Sequence, residues 1–189
     1  MAELRVARSE LILGGQKSGK TVRAERLAAA WLAQGAGHRA VYIATAQAWD
    51  AEMRERIARH RHDRALRVPA METVEEPLEL VRAIGAHSRG DTLVVVDCLT
   101  LWLTARLLPA AGGEPLRGGE DALIAAAVAA AAGPLVLVSN EIGLGVVPLG
   151  AETRSFVDAL GRLNQQAALA CERVTLMAAG LPLVLKDGS

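Results

Sequence analysis

Short apolar runs alternate along the chain with longer segments in which apolar residues recur every three or four positions. Short runs of this kind are typical of buried strands, and the longer periodicity is typical of helices. Strands alternating with helices predict an α/β fold with one mostly parallel sheet flanked by helices, in a single domain over 1–189. A glycine-rich segment, 109–119, predicts a surface loop inside that domain. The predicted strands are 11–13, 41–44, 92–96, 135–138, 174–177 and 183–185, and the predicted helices are 21–34, 51–62, 77–87, 122–132 and 152–171.

One apolar stretch raises the question of a membrane span, because residues 122–140 carry no charged side chain. Their number approaches the roughly 18–20 apolar residues of a spanning helix. The first half is mostly alanine and Gly133-Pro134 interrupts it, so the pattern favours a helix, a turn and a buried strand. Residues 1–10 include four charged side chains and lack the apolar centre of a secretory signal. We therefore expect a cytoplasmic protein with no membrane span.

The overall composition is typical of a folded domain. Of the 189 residues, 51% are hydrophobic and 22% are charged, which allows a sizeable core. Twenty-one basic residues balance twenty-one acidic ones, and aromatic residues make up 3%, so we expect no nucleic-acid partner. Two cysteines, Cys98 and Cys171, are too few for a disulfide framework. Any affinity for phosphate must come from a local group of residues.

The segment after the first predicted strand matches the phosphate-binding pattern G-x-x-x-x-G-K-[ST]. Its glycines let the backbone curl so that N–H groups face phosphate oxygens, and the positive end of the next helix adds to them. Lys20 would neutralise the β- and γ-phosphates, and the Thr21 hydroxyl would hold Mg²⁺. A chance glycine-rich turn is the alternative, but the strand before and the helix after favour a nucleoside triphosphate site. The residues of this phosphate loop are Gly14, Gly15, Gln16, Lys17, Ser18, Gly19, Lys20 and Thr21.

A phosphate loop of this kind also needs an acidic residue that holds the metal at the end of a neighbouring strand. Asp97 directly follows the apolar run 93–96 and is the candidate. The alternative is that Asp97 caps the helix that begins near Leu99. The two roles are compatible.

The sequence disfavours a regulatory GTPase, which reads guanine with the pattern N-K-x-D. The chain has three lysines, Lys17, Lys20 and Lys186, and none of them follows an asparagine. A D-x-x-G match at 158–161 lies within a helical pattern, so we interpret it as accidental.

A predicted helix after the second strand is rich in arginine and histidine. Between Arg54 and Arg67 there are six arginines and two histidines, and Arg56, His60 and Arg64 share one helical face. One interpretation is a solvated basic face with incidental histidines. The other is a clamp for polyphosphate around a nucleophile, because imidazole attacks phosphorus at neutral pH and arginines offset the charge of the leaving pyrophosphate.

Together these segments resemble one family, the bifunctional adenosylcobinamide kinase / adenosylcobinamide-phosphate guanylyltransferases of cobalamin biosynthesis. The matching segments run in order over nearly the whole chain, which is far more specific than a phosphate loop alone. They are L-G-G-Q-K-S-G-K-T at 13–21, Y-I-A-T-A at 42–46, D-A-E-M at 50–53, R-I-A-R-H-R at 56–61, E-T-V-E at 72–75, V-D-C-L-T-L-W-L-T at 96–104, V-S-N-E-I-G-L-G-V-V-P at 138–148 and G-R-L-N-Q at 161–165.

The resemblance implies a RecA-like P-loop fold and two reactions on one corrinoid. ATP or GTP phosphorylates adenosylcobinamide, and GMP from GTP then passes through a covalent guanylyl-His60 to the phosphate of the first product. Lys20, Asp97 and His60 are then catalytic, Thr21 and Asp97 hold Mg²⁺, and the chain assembles as a homotrimer or larger. The further nucleotide contacts that the resemblance implies are Ala44, Thr45, Ala46, Arg61, His62, Asp63, Arg64, Glu75 and Asp97.

Two positions depart from the family's pattern. Ala105 stands where asparagine is usual, which concerns the metal or corrinoid side of the site, and Lys17 stands where arginine is common. Neither position touches the proposed chemistry. Two other functions share the same phosphate loop. One is a small-molecule kinase in which His60 is idle, and the other is an adaptor that uses nucleotide binding as a switch.

Overall fold

Seven strands lie side by side in one sheet in the computed structural model, which describes residues 4–109 and 118–188. Helices connect most of these strands, as the apolar pattern predicts. In chain order the elements are β1 (Ser9–Gly14), α1 (Lys20–Leu32), β2 (Arg39–Ala44), α2 (Ala51–Arg67), β3 (Met71–Glu75), α3 (Leu80–His87), β4 (Thr92–Asp97), α4 (Leu99–Leu107), α5 (Glu120–Ala130), β5 (Leu135–Val138), α6 (Ala151–Ala170), β6 (Arg173–Ala178) and β7 (Leu181–Asp187).

The strand order across the sheet is β3-β2-β4-β5-β1-β6-β7. All neighbouring strands are parallel except β7, which pairs antiparallel with β6. A two-residue turn explains this exception, since Ala179 and Gly180 both have positive φ and such turns join antiparallel strands. The predicted fold, a mostly parallel sheet flanked by helices, is confirmed.

The edge strand β3 is not predicted by the apolar pattern. Only Met71 is buried among its five residues, and Glu72, Thr73 and Glu75 are exposed. Because β3 lies at the edge of the sheet and most of its side chains are exposed, its sequence does not need an apolar run. The strand forms through its pairing with β2.

Helices cover both faces of the sheet, and this arrangement separates two hydrophobic clusters. On one face α1 packs Ala24, Leu27 and Ala28 against alternate residues of the central strands. On the other face α3, α4, α5 and α6 pack against the remaining residues of the same strands. The strands β1, β4 and β5 are therefore buried on both sides, which is why they read as continuous apolar runs.

The carboxyl ends of the parallel strands meet at one edge of the sheet. Ala44 at the end of β2 is in register with Glu75 on one side and with Asp97 on the other. Asp97 is in turn in register with Val138 at the end of β5. The loop between β1 and α1 leaves the sheet at the same edge, so residues from five distant segments converge there.

The apolar stretch 122–140 forms most of α5, a turn and β5, as predicted. No helix within residues 4–109 and 118–188 is long and apolar enough to cross a membrane. Of the predicted surface loop 109–119, residues 110–117 lie outside the described part of the chain.

Gly133 in the turn before β5 provides a test of this packing. A Cβ atom there would lie 1.9 Å from the carbonyl oxygen of Arg89 and 2.6 Å from that of Thr92. We expect Gly133→Ala to lower the free energy of unfolding by about 1–3 kcal/mol, measured by urea denaturation. The control is Gly85→Ala in α3, where no described atom lies within 4 Å of the added carbon and where alanine favours the helix by about 0.5–1 kcal/mol. Equal stability of the two variants would contradict the turn geometry.

Candidate active site

The phosphate loop is held between β1 and the turn that joins β6 to β7. A Cβ atom on Gly14 would lie 2.5 Å from the carbonyl oxygen of Met177, and Gly19 has a φ of +100°. The Gly180 N–H donates to the carbonyl of Ser18 at 3.0 Å. Glycine is required at both loop positions, because the backbone of a neighbouring segment approaches closely and the conformation is left-handed.

Lys20 begins α1 and directs its ammonium group into the loop. The Nζ atom donates to the carbonyl oxygens of Gly14 at 2.8 Å and Gly15 at 2.6 Å, and the residue is 8% exposed. Burial lowers the pKa of Lys20 from its usual value, the charge of Asp97 opposes that shift, and the charge of Arg56 adds to it. The loop thus encloses a cation where the pattern predicts one.

The carboxylate of Asp97 accepts two hydrogen bonds on one oxygen. The Thr21 hydroxyl donates to Oδ2 at 2.7 Å, and the Tyr42 hydroxyl donates to the same atom at 2.8 Å. The residue that caps α4 is Cys98, with no side-chain hydrogen bond, so the alternative role of Asp97 as that cap is wrong. The structure instead brings the two predicted metal ligands, Thr21 and Asp97, into direct contact.

Thr45 fastens the end of β2 to the end of β4. It is fully buried, and its Oγ1 donates to the Cys98 carbonyl at 2.7 Å and accepts from the Cys98 N–H at 2.8 Å. The Thr45 N–H donates to the Asp97 carbonyl at 3.2 Å. Its hydroxyl is therefore occupied by the backbone beside Asp97, while Ala44 and Ala46 on either side are half-buried at the sheet edge.

Tyr42 is a site residue that the sequence analysis missed. It is the only tyrosine of the chain and lies within the apolar run of β2. A tyrosine in such a run indicates a buried hydroxyl that needs a hydrogen-bond partner. Burial, and then the nearby charge of Asp97, raise the pKa of Tyr42 well above its usual value, so the hydroxyl stays a donor. Its ring lies under the guanidinium of Arg64, 3.8 Å from the carbon centre to the ring centroid.

The basic helix α2 is fixed at both ends. At its start the Asp50 carboxylate accepts from the Met53 N–H at 2.7 Å. Near its end Arg64 is buried on Tyr42 and donates through Nε to the Thr73 hydroxyl at 3.2 Å. Arg67 pairs with the buried Glu25 of α1 at 2.5 Å. Arg64 is the one buried residue of α2, which the structure describes in full. The interpretation of α2 as a solvated basic face is therefore incorrect at Arg64 and fits the exposed Arg56 and His60.

His60 lies on α2 one helical turn after Arg56 and one turn before Arg64. Arg64, one turn later, packs on Tyr42, and Arg56, one turn earlier, is near enough to Lys20 to lower its pKa. The His60 side chain is exposed between them. His62 is also exposed, on a different face of the helix, and Asp63 is half-buried.

A small polar cavity of about 300 Å³ lies between α2 and β3. Arg61 and Glu75 form an ion pair at its border, and Arg64 forms part of its wall. The remaining lining residues are Ala65, Pro69, Met71 and Thr73. Three of the predicted nucleotide contacts therefore share one cavity next to the helix that carries His60. Ala105, in contrast, is 3% exposed within α4.

A strand, a glycine-rich loop around a lysine, and a threonine-aspartate pair at the next strand end define a P-loop nucleotide-binding protein. The model of the family described as cobinamide kinase / cobinamide phosphate guanyltransferase matches residues 10–185, and the chain belongs to this family. It is 48% identical over 177 residues to the bifunctional adenosylcobalamin biosynthesis protein CobP of Pseudomonas aeruginosa, covering 94% of this chain and 96% of that protein.

Two enterobacterial relatives support the same assignment. The bifunctional adenosylcobalamin biosynthesis proteins CobU of Escherichia coli and Salmonella typhimurium are 33% and 34% identical to the chain. Both alignments cover 93% of this chain and 98% of the relative. The resemblance stated from the sequence motifs is confirmed.

The contact between Arg64 and Tyr42 predicts that this arginine stabilises the fold. We expect Arg64→Met to lower the free energy of unfolding by about 1–2 kcal/mol, because methionine keeps the packing volume but removes the cation above the ring. Chemical denaturation measures the change. Arg59→Met, at an exposed position of the same helix, is the matched control and should change stability by less than about 0.5 kcal/mol. If Arg64→Met leaves the free energy of unfolding unchanged, the contact between Arg64 and the Tyr42 ring does not stabilise the fold.

Proposed function

We propose that this chain catalyses both reactions of its family at the carboxyl edge of the sheet. It phosphorylates adenosylcobinamide with ATP or GTP, and it then transfers GMP from GTP to the product to give adenosyl-GDP-cobinamide, in the cytoplasm. One observation carries the proposal: the face of α2 that bears His60 is fastened through Arg64 and Tyr42 to Asp97, which also contacts the phosphate loop.

In the kinase step, the hydroxyl oxygen of the aminopropanol arm attacks the γ-phosphorus, the bond from the γ-phosphorus to the β-γ bridging oxygen breaks, and the hydroxyl proton is lost. Lys20 and the loop N–H groups orient the phosphates and offset the charge that moves to the leaving nucleoside diphosphate. The hydroxyl of Thr21 and the carboxylate of Asp97 are hard oxygen ligands that fit Mg²⁺, and substrate phosphates complete such sites. The metal, when bound, neutralises phosphate charge.

In the guanylyl step, an imidazole nitrogen of His60 attacks the α-phosphorus of GTP and pyrophosphate leaves. A phosphate oxygen of adenosylcobinamide phosphate then attacks the same phosphorus, and the nitrogen-phosphorus bond breaks. Arg56, one helical turn before His60 on the same face, supplies positive charge to the leaving pyrophosphate. Burial raises the pKa of Cys98 to about 12, so the thiol beside Asp97 is not a competing nucleophile.

The polar cavity between α2 and β3 supports a role in holding the nucleotide. At the border of the cavity, the Glu75 carboxylate can accept hydrogen bonds and the Arg61 guanidinium can donate them. Arg61 lies on α2, the helix that carries His60, and Glu75 ends β3. We assign the nucleotide contacts to this cavity, to the phosphate loop and to the neighbouring residues Ala44, Thr45, Ala46, His62, Asp63 and Asp97.

We also propose that the chain forms a homotrimer or a larger homo-oligomer. The strand β7 supports assembly, because it is an edge strand whose Leu181, Leu183 and Leu185 are 71%, 58% and 56% exposed. Analytical ultracentrifugation measures the size.

Asp97→Asn tests the metal site. The amide oxygen can still accept from Thr21 and Tyr42, so the thermal midpoint should change little, but the charge that a hard cation needs is lost. We expect Mg²⁺-dependent turnover to fall by orders of magnitude, measured across a magnesium titration. Asp91→Asn, exposed beside the opposite end of β4, is the control and should leave turnover unchanged. If Asp97→Asn shows the same magnesium dependence as the wild type, Asp97 is not a ligand of the metal.

His60→Ala separates the two reactions. We expect it to abolish guanylyl transfer and to leave phosphorylation of adenosylcobinamide largely intact, because transfer from the phosphate loop needs no protein nucleophile. GTP labelled at the α-phosphate should place acid-labile, alkali-stable label on the wild-type protein and none on the variant. His62→Ala, on a different helical face, should retain the label.

The same experiment distinguishes the alternative functions. A small-molecule kinase would phosphorylate its substrate but carry no α-label, and an adaptor would bind GTP without either reaction. Label on the folded His60→Ala protein would overturn the assignment of His60.

A further inference from the structure

A larger cavity of about 750 Å³ opens on the face of the sheet opposite α1. It lies between α4, the start of α5 and the first half of α6. Its wall is mostly apolar, with Leu103 and Leu107 from α4 and Phe156 and Leu163 from α6. Charged side chains stand around this wall, and they are Glu120, Asp121, Glu152 and Arg162. Apolar walls with a few polar groups at the border are typical of small-molecule sites.

Hydrogen bonds connect this cavity to the phosphate loop through the segment that follows β5. The Glu141 N–H donates to the Gly14 carbonyl at 3.1 Å, which places the segment against the loop. The neighbouring Asn140 N–H donates to the Thr100 hydroxyl of α4 at 2.9 Å, and Asn164 of α6 donates to the Asn140 carbonyl at 3.0 Å. The two helices that form the cavity are thus fastened directly beside the loop.

The loop between Glu141 and the start of α6 exposes several apolar side chains. Leu144, Val146, Val147 and Leu149 are 80%, 95%, 73% and 98% exposed. Groups of exposed apolar side chains often mark binding surfaces in proteins. The loop joins α6 at Ala151, which lines the cavity, so these exposed side chains directly precede the cavity wall in the chain.

We propose that this surface, the cavity together with residues 144–149, binds the corrin macrocycle of adenosylcobinamide; this inference rests on the proposed function. A corrinoid presents apolar ring faces and a border of amide groups, which match an apolar wall surrounded by charged side chains. The macrocycle is too large for the cavity alone, so part of it lies against the exposed loop. Its aminopropanol arm then extends along 140–141 to the phosphate loop, where both reactions take place.

Two variants test the assignment without changing the protein core. Thr153→Trp places a large side chain at an exposed position of the cavity wall, and Leu149→Glu places a charge on the exposed loop. Leu169→Glu, 71% exposed near the other end of α6, is the matched control. Binding of adenosylcobinamide is measured by equilibrium dialysis and visible absorbance, and KM for adenosylcobinamide in the kinase reaction is measured beside it.

We expect Thr153→Trp and Leu149→Glu to weaken corrinoid binding and raise that KM at least tenfold, with Leu169→Glu unchanged. Labelling of the protein by α-labelled GTP involves no corrinoid, so it should stay at the wild-type level in all three. Corrinoid affinity within twofold of wild type in Thr153→Trp overturns the proposal. Loss of affinity accompanied by a change in sedimentation also overturns it, since the surface would then be a contact between copies of the chain. Failure of the wild type to take up label would contradict the proposed function and leave the binding result intact.

Discussion

The carboxylate of Asp97 connects the parts of the site, and the rest of the arrangement depends on its position. One of its oxygens accepts from Thr21 at the start of α1 and from Tyr42 in β2. Thr45 fixes the carbonyl of the same residue and the backbone of Cys98 that follows it. Since a buried donor without a partner is costly, these contacts specify where β2, β4 and the phosphate loop lie relative to one another.

The same network explains how a strongly charged helix is held against the sheet. The helix α2 offers little apolar surface, and it is attached instead by Arg64 on the Tyr42 ring and by Arg67 paired with the buried Glu25. Paired, hydrogen-bonded charges are stable in such positions, whereas removing one partner is strongly destabilising. The helix can therefore present His60 to solvent on a fixed support.

The parallel sheet has two faces, and both border the edge formed by the carboxyl ends of its strands. Because the carboxyl ends of β1, β2, β3, β4 and β5 are in register, groups from distant parts of the chain meet there. The side with α1 and α2 holds the phosphate loop and the polar cavity, and the opposite side holds the apolar cavity between α4 and α6. The two cavities therefore lie on opposite faces of the same sheet.

By itself, the sequence determined the alternation of strands and helices, the phosphate loop and the position of Asp97 after a buried strand, because these features are local patterns of apolarity and glycine. It did not reveal the edge strand β3, whose polar residues form a strand only through pairing with β2. The burial of Arg64, the hydrogen bond of Tyr42 to Asp97 and the apolar cavity between α4 and α6 were decided by the tertiary structure. Each of them depends on side chains far apart in the chain, which no local pattern records.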